Sequence, residues 1–267
     1  MTVKFNYSQS ENPQFEAILA MRTAAKEGAF FLPHLKNGMR VLDVGCGPGS
    51  ITLGIAEVLG SGEVVGVDLQ PAQVAKAKEL STTKNIKNAH FEVADANELP
   101  FPDGSFDAVF ANSVLGHLPQ PLQGLSEMRR VLRTGGIIGI RDLDWGGRIL
   151  SPTTPLLEEW FEVTIKVRKF NGGNPHIGRN HRRLLLDSGF LNSKATVSVW
   201  SLGTEDEVKI CGTFLKAQLQ GFSRVALSNG WLDQKTLEAV CADIDNWSSL
   251  PESFYMDTYC EAIAYKE

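Results

Sequence analysis

Cysteine is scarce in this chain of 267 residues, and the few cysteines are scattered. Cys46, Cys211, Cys241 and Cys260 form no Cys-x-x-Cys pair, and no histidine lies near them at the spacing of a zinc site. This pattern argues against both a disulfide framework and a structural metal site, so we expect no metal. It is typical of a protein that works in a reducing compartment, and we expect a cytoplasmic location.

Long apolar runs and an excess of positive charge are also missing. No stretch approaches the ~20 apolar residues that cross a bilayer, and the polar residues 1–10 contain no signal core. The chain has 26 basic and 31 acidic residues, a net charge of −5, which argues against binding held mainly by nucleic-acid phosphates or anionic lipids. We therefore expect a small-molecule partner, and neither a nucleic acid nor a membrane span.

Short apolar runs alternate with helical stretches between residues 38 and 142. Because the runs are apolar throughout, each strand they form is buried on both sides, as in a parallel sheet covered by helices on both faces. The sequence therefore predicts an α/β fold with a mostly parallel sheet. The five predicted strands are 40–44, 63–68, 89–93, 106–111 and 137–141.

The alternation ends after Asp144, and all five tryptophans lie beyond it. Two further strands are predicted over 194–200 and 258–265, and we interpret them as edge strands. Helices predicted at about 205–229 and 233–247 form an insertion between these strands, over the carboxyl end of the sheet.

An N-terminal helix is predicted to lie over the same end of the sheet. It begins at Asn12 and Pro13 and stops at Pro33. The three predicted regions are an N-terminal helical lid (1–35), a cofactor-binding core (36–147), and the rest of the sheet (148–267) with helical lid insertions at about 148–178 and 205–250.

A strand, a glycine loop and a helix follow one another from residue 41, with the sequence VLDVGCGPG over 41–49. Gly45, Gly47 and Gly49 let the backbone turn sharply and approach a ligand without a Cβ in the way. The spacing is GxGxG, whereas a dinucleotide loop carries its third glycine at the position of Ser50, and there is no Walker GK[ST] sequence. Asp68 ends the second strand, where a carboxylate can accept both hydroxyls of a ribose. These features fit either NAD or another adenosine-containing cofactor.

Two later features separate these possibilities. Asp95-Ala96 follows the third strand, where an aspartate can accept from an adenine amino group, and LPFPDGSFD precedes the fourth. With these features, residues 36–142 are similar to class I S-adenosylmethionine-dependent methyltransferases of the ubiquinone and menaquinone biosynthesis branch. The resemblance rests on the stretches VLDVGCGPG, VVGVDL, ADANELPFPDGSFDAV, HLPQPLQGLSEMRRVLRTGG and IIGIRD. The stretch RDLDW…NGGNPHIGR…LLLDSGF resembles a subgroup of small-molecule methyltransferases. The resemblance implies a Rossmann-like seven-stranded sheet with a helical lid, and S-adenosyl-L-methionine as cofactor.

The resemblance also implies roles for the residues at matching positions. It places the cofactor outside the carboxyl ends of the strands, where open α/β sheets bind their ligands. The implied contacts are Gly45, Cys46, Gly47 and Gly49 to the methionine portion, Asp68 and Leu69 to the ribose, Asp95 and Ala96 to the adenine, and Asn112 and Ser113 near the sulfonium.

Three residues are candidates for catalysis, each with a structural alternative. His117, one turn beyond the fourth strand, is either a general base at the methyl end of the cofactor or a packed histidine. Asp142 and Asp144, which follow the fifth strand beside Trp145, either deprotonate or orient a substrate or are ordinary surface carboxylates. Arg22 either pairs with the carboxylate of the cofactor or is an exposed helix charge.

Two residues near the glycine loop are expected to be structural. Asp43 is expected to bind the glycine backbone rather than the cofactor. Cys46 is expected to be a small buried residue, since methyl transfer needs no covalent enzyme intermediate.

These observations predict a methyltransferase that acts on an O, N or C nucleophile of a small metabolite. The late tryptophans and Phe170, Phe214 and Phe222 indicate an apolar or aromatic substrate. A nucleic-acid methyltransferase is disfavoured by the acidic balance and by Asn112-Ser113-Val114-Leu115, which lacks the Pro-Pro-aromatic motif of amino-directed DNA methyltransferases. Two alternatives stay open: a nicotinamide-dependent oxidoreductase, although no Tyr-x-x-x-Lys pair is evident, and a non-catalytic S-adenosylmethionine-binding protein.

Overall fold

Seven strands of residues 21–267, the part of the chain that the computed structural model describes, form one mixed sheet. The strands are β1 (Arg40–Val44), β2 (Glu63–Asp68), β3 (Ala89–Val93), β4 (Phe106–Asn112), β5 (Leu132–Ser151), β6 (Leu191–Leu202) and β7 (Phe254–Tyr265). Their order across the sheet is β3-β2-β1-β4-β5-β7-β6. Strands β1 to β5 are parallel, and β7 is antiparallel to both of its neighbours. The predicted Rossmann-like, mostly parallel sheet is confirmed.

Helices connect these strands, and their sequences carry recognisable start signals. Pro71, Pro121 and Pro155 occupy first turns, where the missing N–H has no helical partner to lose. Within residues 21–267 no helix is both long enough and apolar enough to cross a membrane. The helices are α1 (Ala24–Glu27), α2 (Ser50–Leu59), α3 (Pro71–Thr83), α4 (Pro121–Val131), α5 (Pro155–Phe170), α6 (His181–Asp187), α7 (Glu205–Ser228) and α8 (Gln234–Trp247), with 3-10 turns at Leu32–His34, Leu115–His117 and Gly178–Asn180.

The sheet is buried on both faces, as its apolar strands require. On β1, Leu42 and Val44 pack in one core with residues of α4 and α6. Val41, which points the other way, packs in a second core with residues of α2 and α3. Successive side chains of a strand alternate between faces, so a strand between two helical layers needs apolar residues at every position.

A third apolar cluster joins α5, α7 and α8 to the carboxyl end of β5, and we call these three helices the cap. Its largest fully buried members include Trp160, Trp247 and Tyr255. Two helices of the cap begin with side-chain N-caps. Thr204 and Glu207 form a capping box on α7, and Asp233 caps α8. The cap therefore covers one end of the sheet rather than one of its faces.

Two strand predictions need correction. Strand β7 is not at the edge of the sheet but lies between β5 and β6. Its buried positions alternate with half-buried ones, and such a pattern does not distinguish an edge strand from an inner one. Strand β5 is longer than predicted, because its pairing with β7 resumes after an irregularity and extends to Ser151.

The first part of the predicted N-terminal helix, residues 12–20, lies outside the described residues. Within them, α1 ends after a single turn, where the N–H of Gly28 bonds the carbonyl of Ala24. A separate 3-10 turn follows at Leu32–His34, so no continuous helix reaches Pro33.

Candidate functional site

The glycine loop between β1 and α2 is fixed to the end of β2. The backbone N–H groups of Gly45 and Cys46 both donate to the Val67 carbonyl, at 2.7 and 2.9 Å. The N–H of Gly47 donates to Asp68 Oδ2 at 3.0 Å, and the N–H of Gln70 donates to Asp68 Oδ1 at 2.9 Å. These bonds hold the loop and the Asp68 carboxylate in one orientation.

A cavity of about 600 Å³ opens beside this loop, at the carboxyl ends of β1, β2 and β4. It brings together the implied cofactor contacts except Gly49, and it adds His117 and Arg22. The predicted residues that line it are Gly45, Cys46, Gly47, Asp68, Leu69, Asp95, Ala96, Asn112, Ser113 and His117.

Gly49 lies outside the lining of this cavity, contrary to the contact implied for it. Its φ of +84° starts α2, and a Cβ there would lie 2.8 Å from the Cβ of Ala77 and 3.1 Å from the ring of Phe91. The glycine is needed because α3 and β3 pack closely against the loop. Gly49 therefore shapes the loop from behind, and its contact with the cofactor stays a prediction.

The residues of the cavity fit an adenosine-containing cofactor. At Gly47 the φ is +54° and no described atom lies within 4 Å of the position of a Cβ, so its backbone is open to a ligand. Burial raises the pKa of Asp68, and the N–H groups of Gln70 and Gly47 partly offset that rise. Each of its oxygens accepts one backbone bond and keeps a second lone pair for a ribose hydroxyl. Asp95, at the rim, is held by two hydrogen bonds from Asn97 to its Oδ1.

Asn112 and Ser113 are held in place by Arg141 of β5. Arg141 Nη1 donates to Asn112 Oδ1 at 3.1 Å, and the N–H of Ser113 donates to the Arg141 carbonyl at 2.6 Å. The Arg141 side chain is buried and forms ion pairs with Glu27 and Glu261. The end of β4 is thereby tied both to α1 and to β7.

His117 lies in the lining of the cavity and is neutral. Burial lowers its pKa well below the usual value, and the positive charges of Arg168 and Arg22 lower it further. Arg168 Nη1 donates to His117 Nε2 at 3.4 Å. Because arginine has no acceptor, this bond assigns the proton of the neutral imidazole to Nδ1. The Nε2 lone pair is thus engaged, which disfavours His117 as a general base through that nitrogen.

Asp142 and Asp144 do not line the cavity, so the structure does not support direct contact with a reacting group. Asp142 Oδ2 accepts from His181 Nε2 at 3.0 Å, and its Oδ1 accepts from the N–H of Gly116 at 3.1 Å. Asp144 accepts from Nε and Nη2 of Arg179, each at 2.7 Å. Burial alone would raise the pKa of Asp144, but these bonds and the charge of Arg179 lower it overall. Both carboxylates are buried and have partners, and neither is an ordinary surface group.

Asp43 and Cys46 both line the cavity but are poorly suited to chemistry. Burial raises the pKa of Asp43 to about 7, the hydrogen bond from Thr52 lowers it, and the charge of Asp68 adds to the rise. Its partner is the Thr52 hydroxyl, at 2.6 Å, instead of the expected glycine backbone. Burial, followed by the charges of Asp43 and Asp68, raises the pKa of the Cys46 thiol well above its usual value. Cys46 is therefore a buried thiol and not a thiolate nucleophile.

Two lining residues have weak signals in the sequence. Arg22 faces the cavity from the segment before α1, so the view that it is an exposed charge is not supported. Gln73, in the first turn of α3, is buried against the cavity. Its position five residues after Asp68 was the available clue, because the first turn of a helix that follows a strand lies at the carboxyl end of the sheet.

The sequence of this chain is similar to those of known methyltransferases. The family described as "Methyltransferase domain" matches residues 35–177, which is over half of the chain. An uncharacterized methyltransferase of Schizosaccharomyces pombe is 32% identical over 198 residues, covering 71% of each chain. A demethylmenaquinone methyltransferase of Staphylococcus aureus is 35% identical over 134 residues, covering 49% of this chain and 52% of that one.

The solved structures show the same fold. A putative methyltransferase from Bacillus halodurans has a TM-score of 0.61 at 18% identity, covering 91% of this chain and 99% of that one. The family match favours methyl transfer over the nicotinamide-dependent alternative, in agreement with the GxGxG spacing of the loop. The chain belongs to the S-adenosylmethionine-dependent methyltransferases, with S-adenosylmethionine as its cofactor.

Proposed function

We propose that this enzyme transfers the methyl group to an O, N or C nucleophile of a small, apolar or aromatic metabolite. The observation that carries the proposal is the single cavity that runs from Asp68 and the glycine loop to His117. A volume of about 600 Å³ lies within the usual range for cofactor and small-ligand sites, roughly 300–1,000 Å³. The cofactor and the reacting atom of a substrate can therefore meet in one cavity.

The chain's own residues would hold the cofactor by matching polar groups. Asp68 would accept the ribose hydroxyls, the backbone of Gly45 and Gly47 would face the methionine portion, and Asp95 would accept from the adenine. When bound, the cofactor supplies a methyl group activated by its sulfonium. The contribution of the protein is to align the two reactants and to exclude water.

The substrate would enter between His117 and the cap. The Arg168 guanidinium, which donates to His117, lies 4.5 Å from the centre of the Trp145 ring and 6.0 Å from that of Phe222. Both rings belong to the apolar cluster between the cap and β5, and aromatic side chains so close to His117 support a flat or apolar substrate. They also support the view that the cap acts as a lid, together with the predicted lid segment 1–35, most of which lies outside the described residues.

Calorimetry and methyl labelling test this function together. The full chain should bind S-adenosylmethionine and S-adenosylhomocysteine but not NAD, because the loop lacks the third glycine of a pyrophosphate site. With methyl-labelled cofactor and a metabolite extract, label should appear in small molecules and not in added DNA or RNA. Binding of NAD in preference to S-adenosylmethionine would contradict the proposal, and so would label found in nucleic acid alone.

A further inference from the structure

One wall of the cofactor cavity is the short segment that follows β4, residues 113–119, which we call the wall turn. The residues of the wall turn that line the cavity are Ser113, Val114, His117, Leu118 and Pro119. Leu115 and Gly116 are buried behind them, in a single 3-10 turn. So short a turn has few hydrogen bonds of its own, and its conformation depends on what holds it from outside.

Both backbone groups of Gly116 are bonded from outside the wall turn. Its N–H donates to Asp142 Oδ1 at 3.1 Å, and its carbonyl accepts from the N–H of Asn174 at 2.9 Å. Asp142 belongs to the stretch RDLDW on β5, and Asn174 to the stretch NGGNPHIGR after α5. The cofactor contacts gave these two stretches no role, yet in the structure they meet at one residue of the wall turn.

The packing around Gly116 leaves no room for a larger residue. A Cβ on Gly116 would lie 3.1 Å from Cγ2 of Ile177, and a Cβ on Gly173 would lie 2.7 Å from the carbonyl oxygen of Gly116. Neither glycine has a positive φ, so the close approach of the two segments is what requires them. The loop after α5 therefore supports the wall turn by direct backbone contact.

His181 fixes the orientation of the Asp142 carboxylate. Its Nε2 donates to Asp142 Oδ2 at 3.0 Å, and both side chains are buried. Within residues 21–267, the Nδ1 atom of this imidazole has no hydrogen-bond partner, so its polar contact is with Asp142 alone. A carboxylate that is bonded at both oxygens cannot rotate without breaking a buried bond, which is costly. His181 on α6 thus keeps Oδ1 of Asp142 directed at Gly116.

We propose that Asp142, held by His181, is a positioning residue that fixes the wall turn in the conformation that binds the cofactor. This inference rests on the proposed function, in which the cofactor occupies the cavity. Asp142 does not line the cavity and acts through Gly116. If only a tenth of the molecules hold the turn in the binding conformation, the apparent affinity falls about tenfold.

Calorimetry with S-adenosylhomocysteine and hydrogen exchange test this role on the full chain. Asp142→Ala should lower the affinity at least about tenfold, and the amides of the wall turn should exchange faster. Asp142→Asn keeps an oxygen for the Gly116 N–H and presents an NH2 group, which His181 Nε2 can accept in its other tautomer. It should therefore bind S-adenosylhomocysteine within about threefold of the natural chain.

Two further variants separate positioning from loss of stability. Gly173→Ala displaces the Gly116 carbonyl from the opposite side, keeps both Asp142 and His181, and should also lower the affinity about tenfold. It decides the question where Asp142→Ala does not fold. The control is Leu59→Ala, fully buried at the end of α2 remote from the glycine loop. It should lower the urea midpoint by creating a cavity and leave the affinity within about threefold.

Three results would overturn the inference. They are affinities within threefold of the natural chain in Asp142→Ala and Gly173→Ala, an equal loss in Asp142→Asn and Asp142→Ala, or an equal loss in Leu59→Ala. In each of them the natural chain still binds S-adenosylhomocysteine, so the proposed function stands. Failure of the natural chain to bind it would overturn the proposed function and this inference together.

Discussion

The polar groups of the cofactor cavity belong to short turns at strand ends, whereas those packed beside the cap come from segments far apart in the sequence. In the cavity, Gly47 and Asp68 bond each other directly, and their partners are mostly backbone groups. Beside the cap, Arg148 of β5 pairs with Asp257 of β7 and contacts a ring of α5. A site built from strand ends keeps its geometry when helices vary, whereas a site built between helices changes with every substitution that alters their packing. The comparison implies that the geometry of the cofactor cavity is encoded locally, whereas the packing beside the cap is encoded in tertiary contacts.

The largest expected effect is that of Asp68→Ala on cofactor affinity. The variant loses an acceptor for two ribose hydroxyls, and each bond to a charged acceptor contributes about 1.5–3 kcal/mol. We expect S-adenosylmethionine affinity to fall by at least about a hundredfold in calorimetry, with the melting temperature little changed. Asp187→Ala, an exposed carboxylate on α6, is the control. Unchanged affinity in Asp68→Ala would remove this residue from the site.

Gly45 and Gly47 test how locally the loop is built. A Cβ at Gly45 would collide with Val114, whereas at Gly47 it would meet open space, and both glycines have positive φ. Gly45→Ala combines backbone strain with overpacking and should cost about 3 kcal/mol of unfolding free energy. Gly47→Ala adds only the strain, about 1 kcal/mol. Urea denaturation measures both values.

A second substitution separates collision from strain. Val114→Ala should recover part of the stability lost in Gly45→Ala and none of that lost in Gly47→Ala. Equal costs for the two glycine variants would show that the contact with Val114 does not constrain the loop.

The Asp43 carboxyl should make the stability of the sheet depend on pH. Its pKa rises from 3.8 to about 7, chiefly by burial, so the folded chain binds this proton more tightly than the unfolded chain. The contribution to stability is fully present below about pH 4 and is lost as pH rises through about 7. We expect Asp43→Asn to gain about 2 kcal/mol relative to the natural chain between pH 5 and pH 8, by urea denaturation. A constant difference across this range would contradict the buried, protonated state.

The smallest expected effect is that of His117, at the boundary between the cavity and the cap. Its lowered pKa means that the imidazole stays neutral above pH 6.5, so the turnover rate should show no ionisation of this residue near neutrality. His117→Ala removes the acceptor for Arg168 and should lower turnover by about tenfold. His117→Asn keeps a carbonyl acceptor and should recover most of the rate.

Cofactor affinity should stay within about threefold in both His117 variants. A loss of 10²–10⁴ in both, about the size of a general-base contribution, would restore His117 as the base. An inflection near neutral pH that the variants lack would lead to the same conclusion.

The sequence by itself determined the parallel part of the sheet, the glycine loop and the order of most residues that line the cavity. Apolar strands and glycine spacing are local signals, so the four strands from Arg40–Val44 to Phe106–Asn112 were predictable to within a residue. The predicted helices at about 205–229 and 233–247 also match α7 and α8, because their apolar periodicity and caps are local.

Only the tertiary structure decided which polar residues reach the cavity. Asp142 and Asp144 follow the fifth predicted strand as candidates should, yet His181 and Arg179 bind them because α6 and its preceding turn pack against β5. Arg22 and Arg168 come from segments far apart in the chain and meet at His117 only after folding. The position of β7 between β5 and β6 is equally invisible in its alternating pattern. Strand order and side-chain pairing depend on contacts between distant residues, and local periodicity carries no information about them.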